Sequence, residues 1–390
     1  MKKISILGVS GSIGRQTLDV CSWVKAQQHN EIKICAMTAN QDWRFLADAA
    51  RHWLPEVVAI GNASWHGELQ AALAGLPVKV LSGEDGLAEA AAATEAEMVV
   101  AAISGLAGLA PLLEAIKAGK KIALANKEAL VAAGGIVTAL AEQYRTELLP
   151  VDSEHSAIWQ CLKGEPATSV AALILTASGG PFRNASLAQL AKVTPQEALA
   201  HPNWRMGPKI TVDSATMVNK GLEIIEAHWL FKLPYAKIKV LVHPESIIHS
   251  LVAFCDGSQK ALLSQPDMRL PIAYAINEQQ RLDIPIPELD LAASGSLTFH
   301  APEERRFPAL AIIRSAGELG GTAPAYLNGA NELLVSAFLD KKISFMGISA
   351  ILDKLLAGYN NQEATELAAV YEADAQGRQR AQNLVLSGRF

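Results

Sequence analysis

A short apolar strand, a glycine-rich turn and the beginning of a helix follow one another at the start of the chain. Residues 4–7 are predicted to form the strand, the turn contains Gly8, Gly11 and Gly14, and helical spacing begins near Thr17. Glycine lets a backbone approach a pyrophosphate closely, while a helix N-terminus supplies N–H groups and partial positive charge. An ordinary tight turn is the alternative, and the spacing G-x-x-G-x-x-G differs from the usual dinucleotide pattern. The position between strand and helix favours a dinucleotide site.

Strands and helices continue to alternate as far as residue 151. Further strands are predicted over residues 32–37, 57–60, 78–81, 98–101, 121–124 and 148–151. Between them, helices are predicted over residues 43–52, 109–118 and 129–145. Strands separated by helices of this length are typical of a parallel, doubly wound sheet. We therefore predict an α/β fold in which residues 1–150 form a Rossmann-like nucleotide-binding domain.

The regular alternation ends after this first domain. We predict a central α+β catalytic and dimerisation domain with an open sheet over residues 151–280, including one long helix from Ser214 to Phe231. A proline-rich linker is predicted over residues 281–305. Alanine and leucine at helical spacing predict a small C-terminal helical domain over residues 306–390.

The overall charge and hydropathy restrict the partners that the chain can have. Its 390 residues are 50% hydrophobic, with a net charge of −5 and a pI of about 6.0. An acidic chain offers no basic field for nucleic acid, and an anionic ligand would need local positive groups. The N-terminus lacks the long apolar segment of a signal peptide, and no apolar run is long enough to span a membrane. We expect a cytoplasmic protein without a membrane partner.

The cysteines do not predict a disulfide framework or a zinc site. Cys21, Cys35, Cys161 and Cys255 are scattered along the chain without C-x-x-C spacing. Isolated cysteines of this kind are typical of small apolar side chains in a reducing compartment.

Two carboxylates, separated by one residue, follow the strand predicted over residues 148–151. Asp152, Ser153, Glu154 and His155 come directly after its apolar residues. Carboxylates are hard oxygen ligands that suit Mg²⁺ or Mn²⁺ better than zinc. A polar loop that caps the following helix is the alternative, since aspartate and serine are good N-caps. These residues alone support the two interpretations about equally.

A third acidic side chain lies in the helix predicted from Ser214. Asn219 and Glu223 are four residues apart and share a helix face. Most glutamates on helices are solvated, but Glu223 stands among the apolar residues Leu222 and Ile224. This environment raises the chance that Glu223 points inward, while Ser214 could cap the helix or meet an anion.

Several longer motifs occur in a fixed order along the chain. They are GxxGSIG at 8–14, LANKE at 124–128, LLPVDSEH at 148–155, SGGPFR at 178–183, HPNW at 201–204, DSATM at 213–217, NKGLE at 219–223, HPxSxIHS at 243–250 and PDMR at 266–269. In this combination the chain resembles the 1-deoxy-D-xylulose 5-phosphate reductoisomerase family. Any one string is weak, but the whole series in this order is highly specific.

The resemblance implies an NADPH-dependent oxidoreductase with isomerase activity. Such an enzyme rearranges 1-deoxy-D-xylulose 5-phosphate and reduces the resulting aldehyde to 2-C-methyl-D-erythritol 4-phosphate, in non-mevalonate isoprenoid biosynthesis. The expected partners are this small sugar phosphate and a second copy of the chain in a homodimer.

The resemblance also assigns residues to the metal, the chemistry and the substrate. The implied ligands of Mg²⁺ or Mn²⁺, with Co²⁺ also accepted, are Asp152, Glu154 and Glu223. The implied catalytic residues are Lys127, Glu154 and Glu223. The implied substrate contacts are Lys127, Ser153, Glu154, Ser178, His201, Trp204, Ser214, Asn219, Lys220 and Glu223. Trp204 belongs to the segment that resembles the family's mobile lid and would exclude water on closing.

The implied NADPH contacts include one departure from the family pattern. These contacts are Ser10, Gly11, Ser12, Ile13, Asn40, Gln41, Asp42, Asn126, Lys127, Glu128 and Gly207. Where the family often has a basic residue followed by asparagine, this chain has the neutral Gln41 and the acidic Asp42. An acid after the second strand more often binds a ribose hydroxyl, as in NADH enzymes. We still predict NADPH, with Arg44 as the alternative source of positive charge.

Two other functions compete with this interpretation. A Rossmann dehydrogenase, such as a semialdehyde or homoserine dehydrogenase, would use a catalytic cysteine or lack the carboxylate triad. Cys161 lies in an apolar helix and makes a poor nucleophile. A non-catalytic nucleotide sensor would bind the coenzyme regardless of Asp152, Glu154 and Glu223.

Overall fold

A computed structural model of the chain describes residues 2–26, 31–93, 95–200, 204 and 206–388. These residues form two compact units that do not follow the chain order. The first unit comprises Met1–Ala129, Val137–Ser156 and Asp267–Ile286, and the second comprises Leu130–Ile136, Ala157–Pro266 and Pro287–Phe390. The four-segment division predicted from the sequence stays a prediction.

The strands are numbered β1 to β11 in chain order. They are β1 Lys2–Leu7, β2 Ile32–Ala39, β3 Val57–Ile60, β4 Lys79–Ser82, β5 Met98–Ala101, β6 Lys121–Leu124, β7 Leu148–Pro150, β8 Val170–Ala177, β9 Ile238–Val242, β10 Ile248–Phe254 and β11 Gln259–Leu263.

The helices are numbered α1 to α17 in the same way. They are α1 Ser12–Ala26, α2 Trp43–Trp53, α3 His66–Ala72, α4 Gly83–Ala91, α5 Leu109–Lys117, α6 Lys127–Gln143, α7 Ser153–Leu162, α8 Leu187–Leu190, α9 Pro195–Ala198, α10 Pro208–Thr216, α11 Val218–Phe231, α12 Arg269–Ile276, α13 Leu291–Ser294, α14 Ala309–Leu319, α15 Ala323–Leu339, α16 Phe345–Ala357 and α17 Leu367–Leu386.

The first unit is built on a parallel sheet of seven strands in the order β4-β3-β2-β1-β5-β6-β7. Every pairing in this sheet is parallel. Strand β5 is buried along its whole length, as expected when helices cover both faces of a parallel sheet. The predicted Rossmann-like, doubly wound fold is confirmed.

Helix α12 completes the first unit although it comes more than a hundred residues after β7. Lys2 in β1 donates from Nζ to the carbonyl of Ile276 at 3.2 Å and to Oδ1 of Asn277 at 2.6 Å. At the other end of α12, the Arg269 guanidinium lies 5.0 Å from the ring centroid of Trp23 in α1. These contacts tie the segment after the PDMR motif to the nucleotide-binding sheet.

The second unit contains a mixed sheet of four strands in the order β11-β10-β8-β9. Strand β8 is parallel to β9 and antiparallel to β10, and β10 is antiparallel to β11. Helix α11 packs against β8 and β9, and the C-terminal helices α14 to α17 pack against one another. The predicted open sheet and C-terminal helical region are confirmed.

The prediction of one continuous helix from Ser214 to Phe231 is wrong. Helix α10 ends at Thr216 and α11 begins at Val218, because Met217 between them has a left-handed conformation with φ of 66°. Such a conformation costs a non-glycine residue about 1–2 kcal/mol. The β-branched neighbours Thr216 and Val218 lower the helical propensity only slightly, so propensity does not predict the break.

No helix in the described part of the chain combines the length and the apolar character needed to cross a membrane.

Candidate functional site

The glycine turn after β1 has the close packing that a nucleotide site requires. Gly8 has φ of 85°, and a Cβ at this position would lie 2.6 Å from the carbonyl oxygen of Ala102. The Gly8 N–H donates to Oγ1 of Thr38 at 2.9 Å, which joins the turn to the end of β2. A Cβ on Gly14 would meet the backbone of Val9 at 2.5 Å. Helix α1 therefore begins directly against the turn, with its N-terminal N–H groups near Ser12.

The acidic residue after β2 is already paired within the first unit. Asp42 caps α2 by accepting a hydrogen bond from the Phe45 N–H at 3.1 Å. Its Oδ2 lies 3.3 Å from Nη2 of Arg15 in α1. The Arg15 guanidinium in turn lies 3.7 Å from the ring centroid of Phe45. Asn40, Gln41 and Asp42 are all exposed, but the charge of Asp42 is offset by a cation and a helix N-terminus.

A second cation stands in the same segment. The Arg44 guanidinium lies 4.6 Å from the ring centroid of Trp43. Trp43 also approaches Trp65, with ring centroids 6.4 Å apart. Arg15 and Arg44 together outnumber the single carboxylate of Asp42, so the segment carries local positive charge in an acidic chain.

Residues 126–128 connect the end of β6 to α6. Asn126 is 2% exposed and caps α6 by accepting from the Ala129 N–H at 2.8 Å. Its Nδ2 donates to the carbonyls of Ile103 and Gly105, the latter at 2.9 Å. The Asn126 side chain thus holds two loops at the carboxyl edge of the sheet, and it presents Lys127 and Glu128 at the first turn of α6.

Lys127 is an interior side chain that forms an ion pair. Its Nζ lies 2.7 Å from Oδ2 of Asp152, and the two side chains are 8% and 14% exposed. This burial shows that Lys127 is not a solvated lysine on the protein surface. The carboxylates of Asp152 and Glu154 each offer an oxygen within 4.8 Å of the other. The Ser153 hydroxyl donates to Oε2 of Glu154 at 2.5 Å.

Three predicted site residues of the second unit meet in α11. Glu223 is 1% exposed, and its Oε2 forms an ion pair with Nζ of Lys220, which is also buried. Its Oε1 accepts a hydrogen bond from Nδ2 of Asn219 at 2.5 Å. The predicted inward orientation of Glu223 is confirmed, and the ammonium of Lys220 provides compensating charge.

The Ser178 loop packs directly against α10 in the same unit. Gly180 has φ of 67°, and its N–H donates to the Ser178 hydroxyl at 3.2 Å. A Cβ on Gly180 would lie 3.0 Å from Cα of Ala215 and 3.2 Å from the carbonyl oxygen of Ser214. The close approach, which only glycine permits without displacement, brings the loop that carries Ser178 to the helix that carries Ser214.

The lid-like segment is described only in part. Trp204 lies with its ring centroid 6.3 Å from that of His249, in a T-shaped arrangement. Ring nitrogen Nε2 of His249 and the Ser264 hydroxyl are 2.8 Å apart. Gly207 ends the segment and accepts the first backbone hydrogen bond of α10, from Thr211 at 3.1 Å. The predicted substrate contact His201 lies outside the described residues.

The thiol of Cys161 is unsuited to nucleophilic catalysis. Cys161 is buried in α7, and burial raises its pKa to about 11. The reactive form of cysteine is the thiolate, so this group is essentially protonated and unreactive at neutral pH.

Family comparisons cover nearly all of the chain. A model of the family described as 1-deoxy-D-xylulose 5-phosphate reductoisomerase matches residues 4–134. Models of two C-terminal domains of the same enzyme match residues 148–231 and 263–380. A reductoisomerase of this name from Heliobacterium modesticaldum is 48% identical over 391 residues, which is 100% of this chain and 99% of the relative.

The chain belongs to the 1-deoxy-D-xylulose 5-phosphate reductoisomerase family. Another relative of this name, from Chlorobium phaeobacteroides, is 49% identical over 386 residues and covers 99% of both chains.

Solved structures of family members agree with this assignment. The reductoisomerase from Zymomonas mobilis in complex with NADPH is 44% identical, with a TM-score of 0.92 and coverage of 99% of both chains. A reductoisomerase in complex with NADPH, fosmidomycin and magnesium is 39% identical, with a TM-score of 0.91, and the match covers 99% of this chain and 98% of that one. The reductoisomerase fold therefore extends over the whole chain.

Arg15 is one residue of interest that the sequence motifs did not identify. It follows the reductoisomerase glycine motif directly, and it donates from Nε to the Ser10 carbonyl at 2.8 Å as well as pairing with Asp42. Two separate signals were available in the sequence. They were a cation, Arg15, in the first turn of α1, and an acid, Asp42, after β2 with no basic residue next to it. Only the fold shows that the two side chains meet.

Proposed function

We propose that this chain converts 1-deoxy-D-xylulose 5-phosphate into 2-C-methyl-D-erythritol 4-phosphate, by rearrangement and NADPH-dependent reduction. One observation carries the proposal beyond family membership. Each unit holds an ion pair between a carboxylate and a buried ammonium group, at positions that match the family motifs. Asp152 pairs with Lys127 in the first unit, and Glu223 pairs with Lys220 in the second.

The metal proposal rests on the donor set of these residues. Asp152, Glu154 and Glu223 would hold Mg²⁺ or Mn²⁺, with Co²⁺ as a further candidate. Three carboxylates provide the oxygen ligands that these ions prefer. A bound divalent ion would polarise the substrate carbonyl and stabilise developing negative charge.

The remaining polar residues of the site bind and orient the substrate. Hydroxyl groups, an amide and an ammonium group are suited to a phosphate dianion. The proposed phosphate and substrate contacts in the second unit are Ser178, His201, Ser214, Asn219 and Lys220, with Trp204 as the aromatic cover. In the first unit, Ser153 and Lys127 contact the sugar, and the Lys127 ammonium donates to a substrate oxygen while Asp152 holds it in place.

The coenzyme proposal rests on the glycine turn and on the charges after β2. NADPH would place its pyrophosphate at the α1 N-terminus, against Ser10, Gly11, Ser12 and Ile13. Further contacts are proposed for Asn40, Gln41, Asp42, Asn126, Lys127, Glu128 and Gly207. The nicotinamide supplies the hydride for the reductive step.

Assembly and location complete the proposal. A homodimer is proposed from the family resemblance alone, and a cytoplasmic location is proposed because the chain belongs to a family of small-molecule biosynthetic enzymes. The Zymomonas mobilis relative is described with NADPH, and another with NADPH, fosmidomycin and magnesium, which supports both cofactors for this chain.

Replacing Glu223 by glutamine tests the function. Substrate-dependent NADPH oxidation in the presence of Mn²⁺ is expected to fall by at least about a hundredfold, or about 2.7 kcal/mol. The Kd of NADPH, measured by fluorescence titration, should stay unchanged because the coenzyme contacts remain. Glu114→Gln is the matched control, since Glu114 forms an exposed pair with Lys117 at the same i,i+3 spacing.

The outcomes separate the competing functions. Loss of turnover with intact coenzyme binding supports the reductoisomerase reaction and the metal role of Glu223. A nucleotide sensor predicts no substrate-dependent oxidation by the unmodified chain. Unchanged turnover in Glu223→Gln would refute the metal role while leaving the family assignment in place.

A further inference from the structure

A buried hydrogen bond joins the C-terminal helices to the helix that carries Ser214. Asn331 in α15 donates from Nδ2 to Oδ1 of Asp213 in α10, at 2.8 Å. Asp213 is 1% exposed and Asn331 is 0% exposed. The second carboxylate oxygen of Asp213 lies 3.0 Å from Nζ of Lys209, one turn earlier in α10. Asp213, Asn331 and Lys209 have no role in the metal, substrate or coenzyme contacts proposed above.

The chemistry of this pair fixes its geometry. An ionised carboxylate only accepts hydrogen bonds, so Asn331 must present its NH₂ group to Asp213. A buried charge requires a cation and hydrogen-bond donors, and Lys209 and Asn331 supply these. Helix α10 is therefore held to α15 at one defined position along its length.

That position determines where Ser214 lies, because Ser214 follows Asp213 in the chain. The backbone of residues 214–215 also packs against Gly180, with no room for an added methyl group. A shift of α10 along α15 would change the distance between the hydroxyls of Ser178 and Ser214. Both hydroxyls are proposed phosphate contacts.

Helix α15 is itself well anchored. Arg378 in α17 pairs with Glu332 in α15 at 2.6 Å and with Asp374 at 2.6 Å. Burial disfavours the charged guanidinium, but the hydrogen bonds to the two carboxylates raise the pKa of Arg378, so it stays charged. In addition, α17 lies so close to α15 that a Cβ on Gly377 would meet the carbonyl oxygen of Tyr326. Contacts with α17 therefore hold α15 in place, and α10 is positioned against α15 through Asp213 and Asn331.

We propose that Asn331 is a positioning residue for phosphate recognition, acting through Asp213 on the helix that carries Ser214. Asn331 does not touch the substrate. This inference rests on the proposed function, since it assumes that Ser178 and Ser214 bind the substrate phosphate. It assigns the C-terminal helices a part in substrate affinity.

Asn331→Asp tests the proposal by placing a second carboxylate against Asp213. The KM for 1-deoxy-D-xylulose 5-phosphate is expected to rise at least about tenfold, or about 1.4 kcal/mol. The kcat and the Kd of NADPH should change by less than about threefold, because the misplaced group acts on ground-state phosphate binding. The exchange variant, Asp213→Asn with Asn331→Asp, restores a donor and an acceptor and should recover most of the KM.

Asn328→Asp is the matched control for a merely structural effect. Asn328 lies one turn earlier in α15, is 0% exposed and donates to Glu332 at 3.4 Å. The same chemical change there should lower thermal stability without raising the KM. An equal rise in KM for Asn328→Asp, or an unchanged KM for Asn331→Asp, would overturn the proposal.

A binding measurement keeps this test separate from the test of the proposed function. Calorimetric titration with inorganic phosphate needs no turnover, and it should show weaker binding for Asn331→Asp than for the unmodified chain. Asn331→Ala gives the same comparison if the aspartate variant does not fold, since it removes the hydrogen bond without adding charge.

Equal phosphate binding by the variant and the unmodified chain would refute the positioning role. An unmodified chain that binds phosphate but does not turn over the sugar phosphate would refute the proposed function alone.

Discussion

Arg15 and Asp42 form an ion pair of 3.3 Å between the first turn of α1 and the N-cap of α2. Because Asp42 is engaged by a cation and by the α2 backbone, its charge is poorly placed to select a ribose hydroxyl. The positive charge that a 2′-phosphate requires is present in Arg15 and Arg44. The acid after β2 is therefore compatible with NADPH in this chain.

The first prediction concerns coenzyme selectivity. Arg15→Gln should raise the Kd of NADPH about tenfold relative to that of NADH, because a charge-assisted contact to the 2′-phosphate is lost and Asp42 is left unpaired. Fluorescence titrations with both coenzymes measure the ratio. Lys25→Gln, in the last turn of α1, removes the same charge away from the site and is the control. Equal weakening of NADPH and NADH by Arg15→Gln would contradict the prediction.

Asp42→Asn gives the opposite result in the same assay. The substitution removes the acid and releases Arg15, so the preference for NADPH over NADH should increase. The asparagine retains the N-cap function, which keeps α2 intact. A shift toward NADH would show that Asp42 does not oppose the phosphate.

The second prediction concerns the Lys127–Asp152 pair. An ammonium 2.7 Å from a proposed metal ligand opposes a divalent cation electrostatically. Lys127→Met should therefore lower the Kd of Mn²⁺, by about tenfold in titrations followed by electron paramagnetic resonance. Turnover should be lost in the same variant, because the donor to the substrate oxygen is gone.

Lys121→Met is the control for this pair. Lys121 lies in β6 and pairs with Glu278, away from the acidic residues after β7. Its loss should change neither Mn²⁺ affinity nor turnover. Weaker Mn²⁺ binding in Lys127→Met would instead indicate that Lys127 organises the carboxylates rather than competing with the ion.

The third prediction separates packing from backbone strain at the Ser178 loop. Gly180→Ala places a methyl group 3.0 Å from Cα of Ala215 and also forces alanine to adopt φ of 67°. Gly164→Ala carries a similar conformational cost at φ of 81°, but no atom lies within 4 Å of its added Cβ. Both variants should lose about 1–2 kcal/mol of unfolding free energy. Only Gly180→Ala should also raise the KM for the sugar phosphate. The same KM for Gly180→Ala and Gly164→Ala would contradict the proposed contact between the Ser178 loop and the substrate.

The sequence predicted the strands of the first unit closely and missed features that depend on distant packing. Strands β3, β5 and β6 have the predicted limits, because each is a short apolar run between turn residues. The break at Met217 was missed because methionine has a high helical propensity, so its left-handed conformation leaves no local signal in the sequence. The place of α12 in the first unit was also missed, since the contact of Lys2 with Ile276 joins residues that are far apart in the chain.

The site residues show the same distinction. The inward orientation of Glu223 was predicted from its apolar neighbours, whereas its assignment to the site came from the family resemblance. Arg15 was not identified, and Asn331 was noted only as part of the segment 328–332, which also resembles the family. The role of each depends on a partner that only the fold brings near. Local patterns therefore identify groups that contact ligands more readily than the residues that position those groups.

The last prediction concerns the cysteine that a thiol-dependent dehydrogenase would need. Burial raises the pKa of Cys161 to about 11, so its thiol should resist iodoacetamide at pH 8 while the exposed Cys255 reacts. Because the unfolded thiol loses its proton first, the contribution of Cys161 to stability is complete below pH of about 9 and falls as the pH rises toward 11. Peptide mapping after timed alkylation measures the reactivity, and Cys161→Ser should leave reductoisomerase turnover intact. Labelling of Cys161 as fast as Cys255 would mean that the thiol is accessible and ionised, and would contradict its burial in α7.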